Sequence, residues 1–308
     1  MKRRIWQVAA AIALNPFPLN LIRGRIYQGP LKHICVPALN CYSCPAAFGA
    51  CPVGSLQVTL ASVRGWFSGM AAWAAAAASL YVAGVILLAG AVGGRLACGW
   101  VCPFGLLQEL IFRRRLSLRL PVTARYLKYA MLAGLIIAAP LLLPYPSSPL
   151  FCKLVCPAGT IEAGAPLVAY DRLARVGAFD LGWLFAWKAS LAVAIMAGAV
   201  LISRFFCRVF CPLGAAWGLF NRISLVAIDV DRSKCTRCGF CRGVCPVDIY
   251  IYEDSGSPEC VRCFNCTRCP ESAVRVVLRT SPAGRRDGVH EGGDITKQGQ
   301  HAKSGGAK

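Results

Sequence analysis

Residues 69–105 read GMAAWAAAAASLYVAGVILLAGAVGGRLACGWVCPFG, and their reading decides the fold. Gly69 to Gly93 carries no charged side chain, and about 20 apolar residues in a helix are what a bilayer core requires. Arg95 ends the run, and Cys98-Gly-Trp-Val-Cys102-Pro-Phe-Gly105 follows. Cysteines at i and i+4 share one face of a helical turn. The proline behind the second cysteine then breaks the backbone pattern. A membrane span followed by a paired-thiol turn is the building unit.

That unit recurs along the chain. Cys-Pro-x-Gly stands at Cys51–Gly54, Cys102–Gly105, Cys156–Gly159 and Cys211–Gly214, with successive copies 51, 54 and 55 residues apart. A fixed period of this kind marks one supersecondary unit used again. Each unit crosses the membrane once, which predicts alternate copies on opposite sides: copies one and three outside, copies two and four inside. The other apolar runs are Ile5–Ile22, which contains Pro16 and Pro18, then Tyr129–Pro149, and Leu181–Ser203 with Lys188 near one end. That lysine snorkels to the interface or touches a ligand headgroup. The expected fold class is a membrane all-α bundle of about four transmembrane helices with an α+β ferredoxin-like domain after it. The expected boundaries are 1–28 for the first transmembrane segment, 29–68 for an outer cysteine-rich loop, 69–228 for the helices with their thiol motifs, 229–278 for the ferredoxin-like domain and 279–308 for a disordered basic tail.

Composition supports lipid as solvent. Only 16% of the 308 residues are charged, against about 25% in soluble domains. The net charge of +20 could indicate nucleic acid, but the basic residues bracket apolar runs and form no single stripe, so nucleic acid is excluded as a partner. Arg95, Arg113, Arg114, Arg115, Arg119, Arg125 and Lys128 lie between the second and third runs. The opposite loops are sparser: Arg23, Arg25, Lys32 and Arg64, then Lys153, Arg172, Arg175 and Lys188. The positive-inside rule therefore predicts a multi-pass protein of a bacterial or archaeal plasma membrane, with both termini and the ferredoxin-like domain in the cytoplasm.

Eighteen cysteines raise the prospect of a disulfide scaffold, but such scaffolds are small and lack spans. The carboxy-terminal spacing points to metal. Cys235-x2-Cys238-x2-Cys241-x3-Cys245-Pro246 is followed by Cys260-x2-Cys263-x2-Cys266-x2-Cys269-Pro270. In this pattern three close cysteines hold one cubane and the fourth ligates the other cluster. The expected sets are Cys235, Cys238, Cys241 and Cys269 for one 4Fe–4S cluster, and Cys260, Cys263, Cys266 and Cys245 for the second. Zinc knuckles also use Cys-x2-Cys, but they leave the third cysteine and the terminal Cys-Pro unexplained. The second run departs from the pattern, with two residues before Cys269 where three are usual. Val247–Tyr252 and Val274–Leu278 read as short strands of this module.

The repeat brings Cys98, Cys102, Cys207 and Cys211 to corresponding ends of two spans, where four thiolates suit a third 4Fe–4S cluster. Their outer equivalents are Cys44, Cys51, Cys152 and Cys156, with Cys35 and Cys41 in reserve. Redox-active dithiols, transient copper binding or, on an oxidising outer side, disulfides are the competing readings.

Histidine is scarce. Only His33 lies outside the tail that holds His290 and His301, so no bis-histidine haem fits in the bundle, and no Cys-x-x-Cys-His motif is present. Glu109 and Glu162 stand after two of the Cys-Pro turns and are the candidates to take protons at the catalytic centre. Glu109 also precedes Arg113 by four residues, the spacing of an ordinary helix-surface pair.

From Ala71 to Leu278 the chain resembles the NapH-type 4Fe–4S membrane proteins. The likeness rests on Cys98-Gly-Trp-Val-Cys102-Pro, Cys207-Arg-Val-Phe-Cys211-Pro and the eight-cysteine segment. It implies four spans, cytoplasmic clusters, oxidation of a membrane quinol and an iron–sulfur partner; the expected partners are thus the membrane quinone and an iron–sulfur or cytochrome redox protein. The outer cysteines, Cys35 to Cys51 and Cys152/Cys156, depart from that family. A thiol or metal-handling factor that reduces copper, or a redox-sensing regulator, are the alternative functions.

Overall fold

Proline shapes the beginning of the fold. In the computed structural model, which describes residues 2–63, 71–113, 118, 120–143, 149–174, 177 and 182–279, the first apolar run is divided around Pro16 and Pro18. Helix α1 covers Lys2–Leu14 and the short α2 covers Leu19–Arg23. Thirteen residues rise about 20 Å, less than a bilayer core, so the expected first span is not one continuous helix. Proline removes an amide donor and crowds the preceding turn, which stops α1 there.

Then come α3 (Pro52–Val63), α4 (Ala71–Gly93), α5 (Leu96–Trp100) and α6 (Pro103–Ile111). The next long stretch is composite: α7 (Leu127–Met131), a π-helical turn at Leu132–Ala138 and α8 (Ala139–Leu142). Helix α9 (Leu150–Leu154), a π-helical turn at Gly159–Gly164 and α10 (Ala165–Ala174) lead to α11 (Trp183–Leu201), α12 (Phe205–Val209) and α13 (Pro212–Phe220). Among the described residues, three stretches are long and apolar enough to cross a membrane, within α4, α7–α8 and α11.

The helices opened by Cys-Pro-x-Gly do not begin at the ends of these spans. Helix α13 runs beside α4 in the same direction, with Trp217 Nε1 donating to the Ile86 carbonyl at 2.9 Å and Leu225 N to that of Ala91 at 2.8 Å. Helix α3 runs the opposite way, its Thr59 carbonyl accepting from Ser79 Oγ at 3.2 Å. Both therefore start near the middle of α4 and leave in opposite directions. Val82 and Ile86 of α4, Ile136 of the second span and Ile195 of α11 share one core with Cys51, Cys98, Cys102, Cys156, Cys207 and Cys211. The expectation that the copies lie at opposite membrane surfaces is corrected: the cysteines are level with mid-span residues. A period of about 54 residues fixes that a unit repeats, but not the depth at which its turn sits.

The cysteine-rich segment closes the fold. Strand β1 (Val226–Val230) pairs antiparallel with β2 (Val274–Leu278), Val226 opposite Leu278 and Val230 opposite Val274. Val274–Leu278 is thus a strand as expected, whereas Val247–Tyr252 is not. Asp248 has a φ of 55°, which breaks an extended run, and Val247 and Ile251 are buried in loops. The short helix α14 (Phe240–Gly243) lies between the strands. The segment docks on the bundle through backbone: Trp100 Nε1 donates to the Arg262 carbonyl at 3.0 Å, and Asn221 Nδ2 to those of Ser257 and Cys260 at 2.8 Å. A Cβ on Gly99 would lie 2.3 Å from the Val261 carbonyl oxygen, so this approach requires glycine. The expected tail from 280 onward, with His290 and His301, and the loop residues Arg64, Arg114, Arg115, Arg119 and Arg175 lie outside the described residues.

Candidate iron–sulfur centres

All eighteen cysteines are free of disulfides. Among the described residues no three Cys, His, Asp or Glu side chains close on one metal-ion position. The thiols instead surround spaces. One cavity is lined by Cys235, Cys238, Cys241 and Cys269. A second is lined by Cys241, Cys245, Cys260, Cys263 and Cys266.

The loops around these cavities share a local geometry. Arg237 and Gly239, two and four residues after Cys235, have φ of 53° and 76°. Arg262 and Phe264, two and four residues after Cys260, have 48° and 57°. Left-handed residues at alternate positions curl the chain so that amide N–H groups converge, which suits an anionic guest. The Arg262 amide meets the Cys260 sulfur, and the Asn265 amide that of Cys263. Burial pushes the Cys260 thiol up to about 12 and the Cys245 thiol up to about 11. A bare thiolate is thus disfavoured there, whereas a coordinating metal cation deprotonates a thiol outright. The donor set of four thiols suits cubanes.

A third cavity is lined by Cys98, Cys102, Cys207 and Cys211 together with Arg95, Leu39, Gly214 and Trp217. Its construction is nearly two-fold. Arg95, three residues before Cys98, donates from Nη2 to the Cys207 carbonyl at 3.1 Å. Arg204, three residues before Cys207, donates from Nη1 to the Cys98 carbonyl at 2.7 Å. Cys102 and Cys211 cap the nine-residue helices α6 and α13. The amide of Gly214 donates to the Cys211 sulfur at 3.4 Å, and that of Gly105 meets Cys102. This is the physical content of Cys-Pro-x-Gly: sulfur at the cap, proline at the first helical position, and a glycine amide turned back to the sulfur. The positive ends of two helices face the thiols, which favours negative charge there. Gln108 completes the frame. Its Nε2 donates to Cys207 Sγ at 3.1 Å, while its Oε1 accepts from the Phe206 amide at 2.9 Å.

Buried charge near this site is compensated. Arg204 pairs with Glu109 at 2.7 Å, and Glu109 also pairs with Arg3 at 2.6 Å. Arg95 lies 3.8 Å from Glu259, which is also ion-paired with Lys128. Glu109 is therefore held by two guanidiniums, not paired with Arg113 as its spacing suggested. Glu162 is placed differently: its carboxylate accepts from the Cys41 amide at 2.7 Å.

The remaining cysteines separate. Cys156 interacts electrostatically with Cys152, Cys51 and Cys41, and Cys41 with Cys152. Cys44 lies 3.7 Å from Asn15 Oδ1 and beside Lys32. Cys35 sits on an isolated bridge to Ala50, its amide donating to Tyr81 Oη at 3.0 Å. Cys41 interacts with Cys51, Cys152 and Cys156 and also packs against Cys44. Lys188 is turned inward: its Nζ is 3.7 Å from the place of a Gly159 Cβ. His33 is exposed.

Sequence reasoning missed Arg95, Arg204, Gln57, Gln108, Lys128 and Glu259. Aligning the repeat copies would have found four of them. Both arginines stand three residues before a motif cysteine, and both glutamines six residues after a Cys-Pro cysteine.

Sulfur-lined cavities docked against apolar spanning helices define a membrane iron–sulfur protein, and the comparisons agree. A family model described as a 4Fe-4S binding domain matches residues 75–121, 128–164 and 183–229, and another of the same description matches 228–251. The chain is 30% identical to the uncharacterized protein MJ0750 of Methanocaldococcus jannaschii over 62% of its own length and 75% of that protein. It is 28% identical to MJ0749 of the same organism, of which it spans 64%. It is also similar to the ferredoxin-type protein NapH of Escherichia coli, at 24% identity over 92% of this chain and 95% of that one. The chain belongs to the NapH-type family of 4Fe–4S membrane ferredoxins. No solved structure matches it.

Proposed function

We propose that this membrane iron–sulfur protein takes electrons from a quinol and passes them to a redox partner protein, using three clusters, two in the ferredoxin-like segment and one inside the helical bundle. Cys235, Cys238, Cys241 and Cys269 hold the first, Cys245, Cys260, Cys263 and Cys266 the second, and Cys98, Cys102, Cys207 and Cys211 the third. Bound there, the clusters supply one-electron carriers. The observation that carries the reading is continuity: Cys245 and Cys263 pack in the same core as the four bundle cysteines, with Val261 against Gly99. The segment and the bundle form one buried sulfur-lined path.

A cavity of about 820 Å³ lies where the two meet, lined by Phe112 and Leu118 on the bundle side and by Arg3, Arg208, Arg268 and Cys245 around it. Its lining is mostly polar, with Arg4, Glu109, Arg242 and Asp248 beside those residues, and it offers donors to the oxygens of a quinol headgroup. Quinol becomes quinone by losing two electrons and two protons, the electrons leaving singly toward the partner, which is an iron–sulfur or cytochrome protein. The ferredoxin-like segment faces the cytoplasm, following the basic residues Arg113, Arg125 and Lys128 on its side, and α1 with α2 makes a fourth, broken crossing. Acting on a passenger copper ion would need accessible sulfur. The four bundle cysteines are only 5–7% exposed, which weighs against it.

The test is optical. Anaerobic membranes containing the oxidised protein should lose visible cluster absorbance when a short-chain quinol is added, and Arg208→Leu should slow that loss. Unchanged absorbance in protein with a full iron complement would refute quinol as donor.

A further inference from the structure

Copies two and four of the repeat build the bundle site used above. Copies one and three are built the same way, in the opposite direction along the spans. Gln57, six residues after Cys51, donates from Nε2 to Cys152 Sγ at 3.7 Å, and its Oε1 accepts from the Phe151 amide at 2.9 Å. This reproduces the pattern of Gln108 with Cys207 and Phe206, group for group. Gln57 is 1% exposed and Gln108 is fully buried. The Gly54 amide meets the Cys51 sulfur, and the Gly159 amide that of Cys156. Helix α3 opens directly after Cys51, as α6 does after Cys102.

Three sulfurs of this second frame are motif cysteines. The place of the fourth, four residues before Cys51, is taken by Ala47. Cys41 supplies the missing sulfur from the preceding loop, where the Glu162 carboxylate fixes its amide. Both glycine turns lie against these sulfurs: a Cβ on Gly54 would stand 3.5 Å from Cys152 Sγ, and one on Gly159 3.6 Å from Cys41 Sγ.

We propose that Cys41, Cys51, Cys152 and Cys156 hold a fourth 4Fe–4S cluster, deeper in the membrane than the bundle site and on its side away from the ferredoxin-like segment. Soft thiolate donors without histidine suit iron–sulfur chemistry, and the frame is the one already assigned to iron, so the proposal extends the reading above. The two bundle sites are close neighbours. The Cys102 thiol lies 4.0 Å from the Leu39 carbonyl, and the next residue, Asn40, turns its amide to the Cys51 sulfur. Adjacent Cα atoms are about 3.8 Å apart, so a single residue step of chain separates the surroundings of the two sites. The carriers then form a row of four that begins at the ferredoxin-like segment and reaches past the middle of the spans.

Iron and acid-labile sulfide, measured per chain on the anaerobically purified full-length protein, test this. The expected values are about 16 iron for the wild type, about 12 for Cys41→Ala/Cys156→Ala, and about 16 for Cys44→Ala. A wild-type value near 12 that falls to about 8 in Cys98→Ala/Cys207→Ala overturns the fourth site and leaves the three-cluster reading intact. A value near 8 in the wild type overturns both. Copper or zinc released by Cys41→Ala/Cys156→Ala, with iron unchanged, overturns the iron assignment. Should that double variant fail to fold, the wild-type stoichiometry decides alone.

Discussion

The two thiol sites inside the bundle share a frame and differ in charge. At the site nearer the ferredoxin-like segment, Arg95 and Arg204 reach across the pseudo-two-fold to the carbonyls of Cys207 and Cys98, and both are fully buried. At the other site the residue three before Cys152 is Pro149, and the one three before Ala47 is Cys44. Lys188 brings an ammonium near Cys152 and Lys32 one near Cys41, while the Glu162 carboxyl group accepts from the Cys41 amide. Net charge and hydrogen bonds to sulfur are the levers by which a protein sets a cluster's potential. A cluster within reach of two guanidiniums, even though each is ion-paired with a glutamate on its other side, accepts an electron more readily than one beside the Glu162 carboxyl group. The difference teaches that the repeat supplies the scaffold, and the residues three positions upstream supply the tuning.

Several substitutions would break or sharpen that contrast. The largest effect is expected from Arg204→Leu. It leaves Glu109 short of one of its two cations and the Cys98 carbonyl without its donor, and breaking a buried pair costs about 3–5 kcal/mol. Thermal denaturation in detergent should show a clear fall in Tm together with loss of cluster absorbance. Pro149→Ala, at the corresponding place of the other site, should leave both nearly unchanged.

Gly99→Ala comes next. The added methyl would meet the Val261 carbonyl at 2.3 Å, forcing a backbone shift at a cost of about 1–3 kcal/mol. Limited proteolysis should then release the cysteine-rich segment, which the wild type protects. Equal protection in both would mean that the docking contact tolerates a side chain.

Arg95→Gln removes a buried positive charge at roughly constant volume. The potential of the nearer site should fall by on the order of 50–100 mV, and that of the farther site much less, in redox titrations followed by electron paramagnetic resonance. Equal shifts at both would contradict the charge asymmetry. The smallest effect separates the glutamines. Gln108→Leu should lower the potential of its site more than Gln57→Leu lowers that of its own, because the Gln108 amide lies 3.1 Å from sulfur and the Gln57 amide 3.7 Å.

Much of this was legible in the sequence, for local reasons. The ferredoxin-like segment was readable because cluster ligation is written in short spacings, and the structure gathers those eight cysteines around two cavities. The repeat was readable for the same reason, and Cys98, Cys102, Cys207 and Cys211 line one cavity. Depth was not readable: spacing along a chain does not state where a turn sits along the spans. Arg95 counted as a loop cation under the positive-inside pattern, yet it is buried against Glu259. Glu109 looked like the partner of Arg113 and is claimed by Arg3 and Arg204, about 100 positions away. Cys41 and Cys44 both lie in irregular chain, where no periodicity indicates which sulfur serves the second frame. Strand β1 was missed because its partner, β2, is distant in sequence.

The central claim is that the four bundle thiols nearest the ferredoxin-like segment are bound to iron and exchange electrons with it. Mössbauer spectroscopy of anaerobically purified protein, before and after quinol, compared with Cys98→Ala/Cys207→Ala, addresses it directly. The account predicts a cubane subspectrum that becomes reduced in the wild type and is missing from the variant, with the two ferredoxin-type clusters intact. Identical spectra in the two proteins would contradict it.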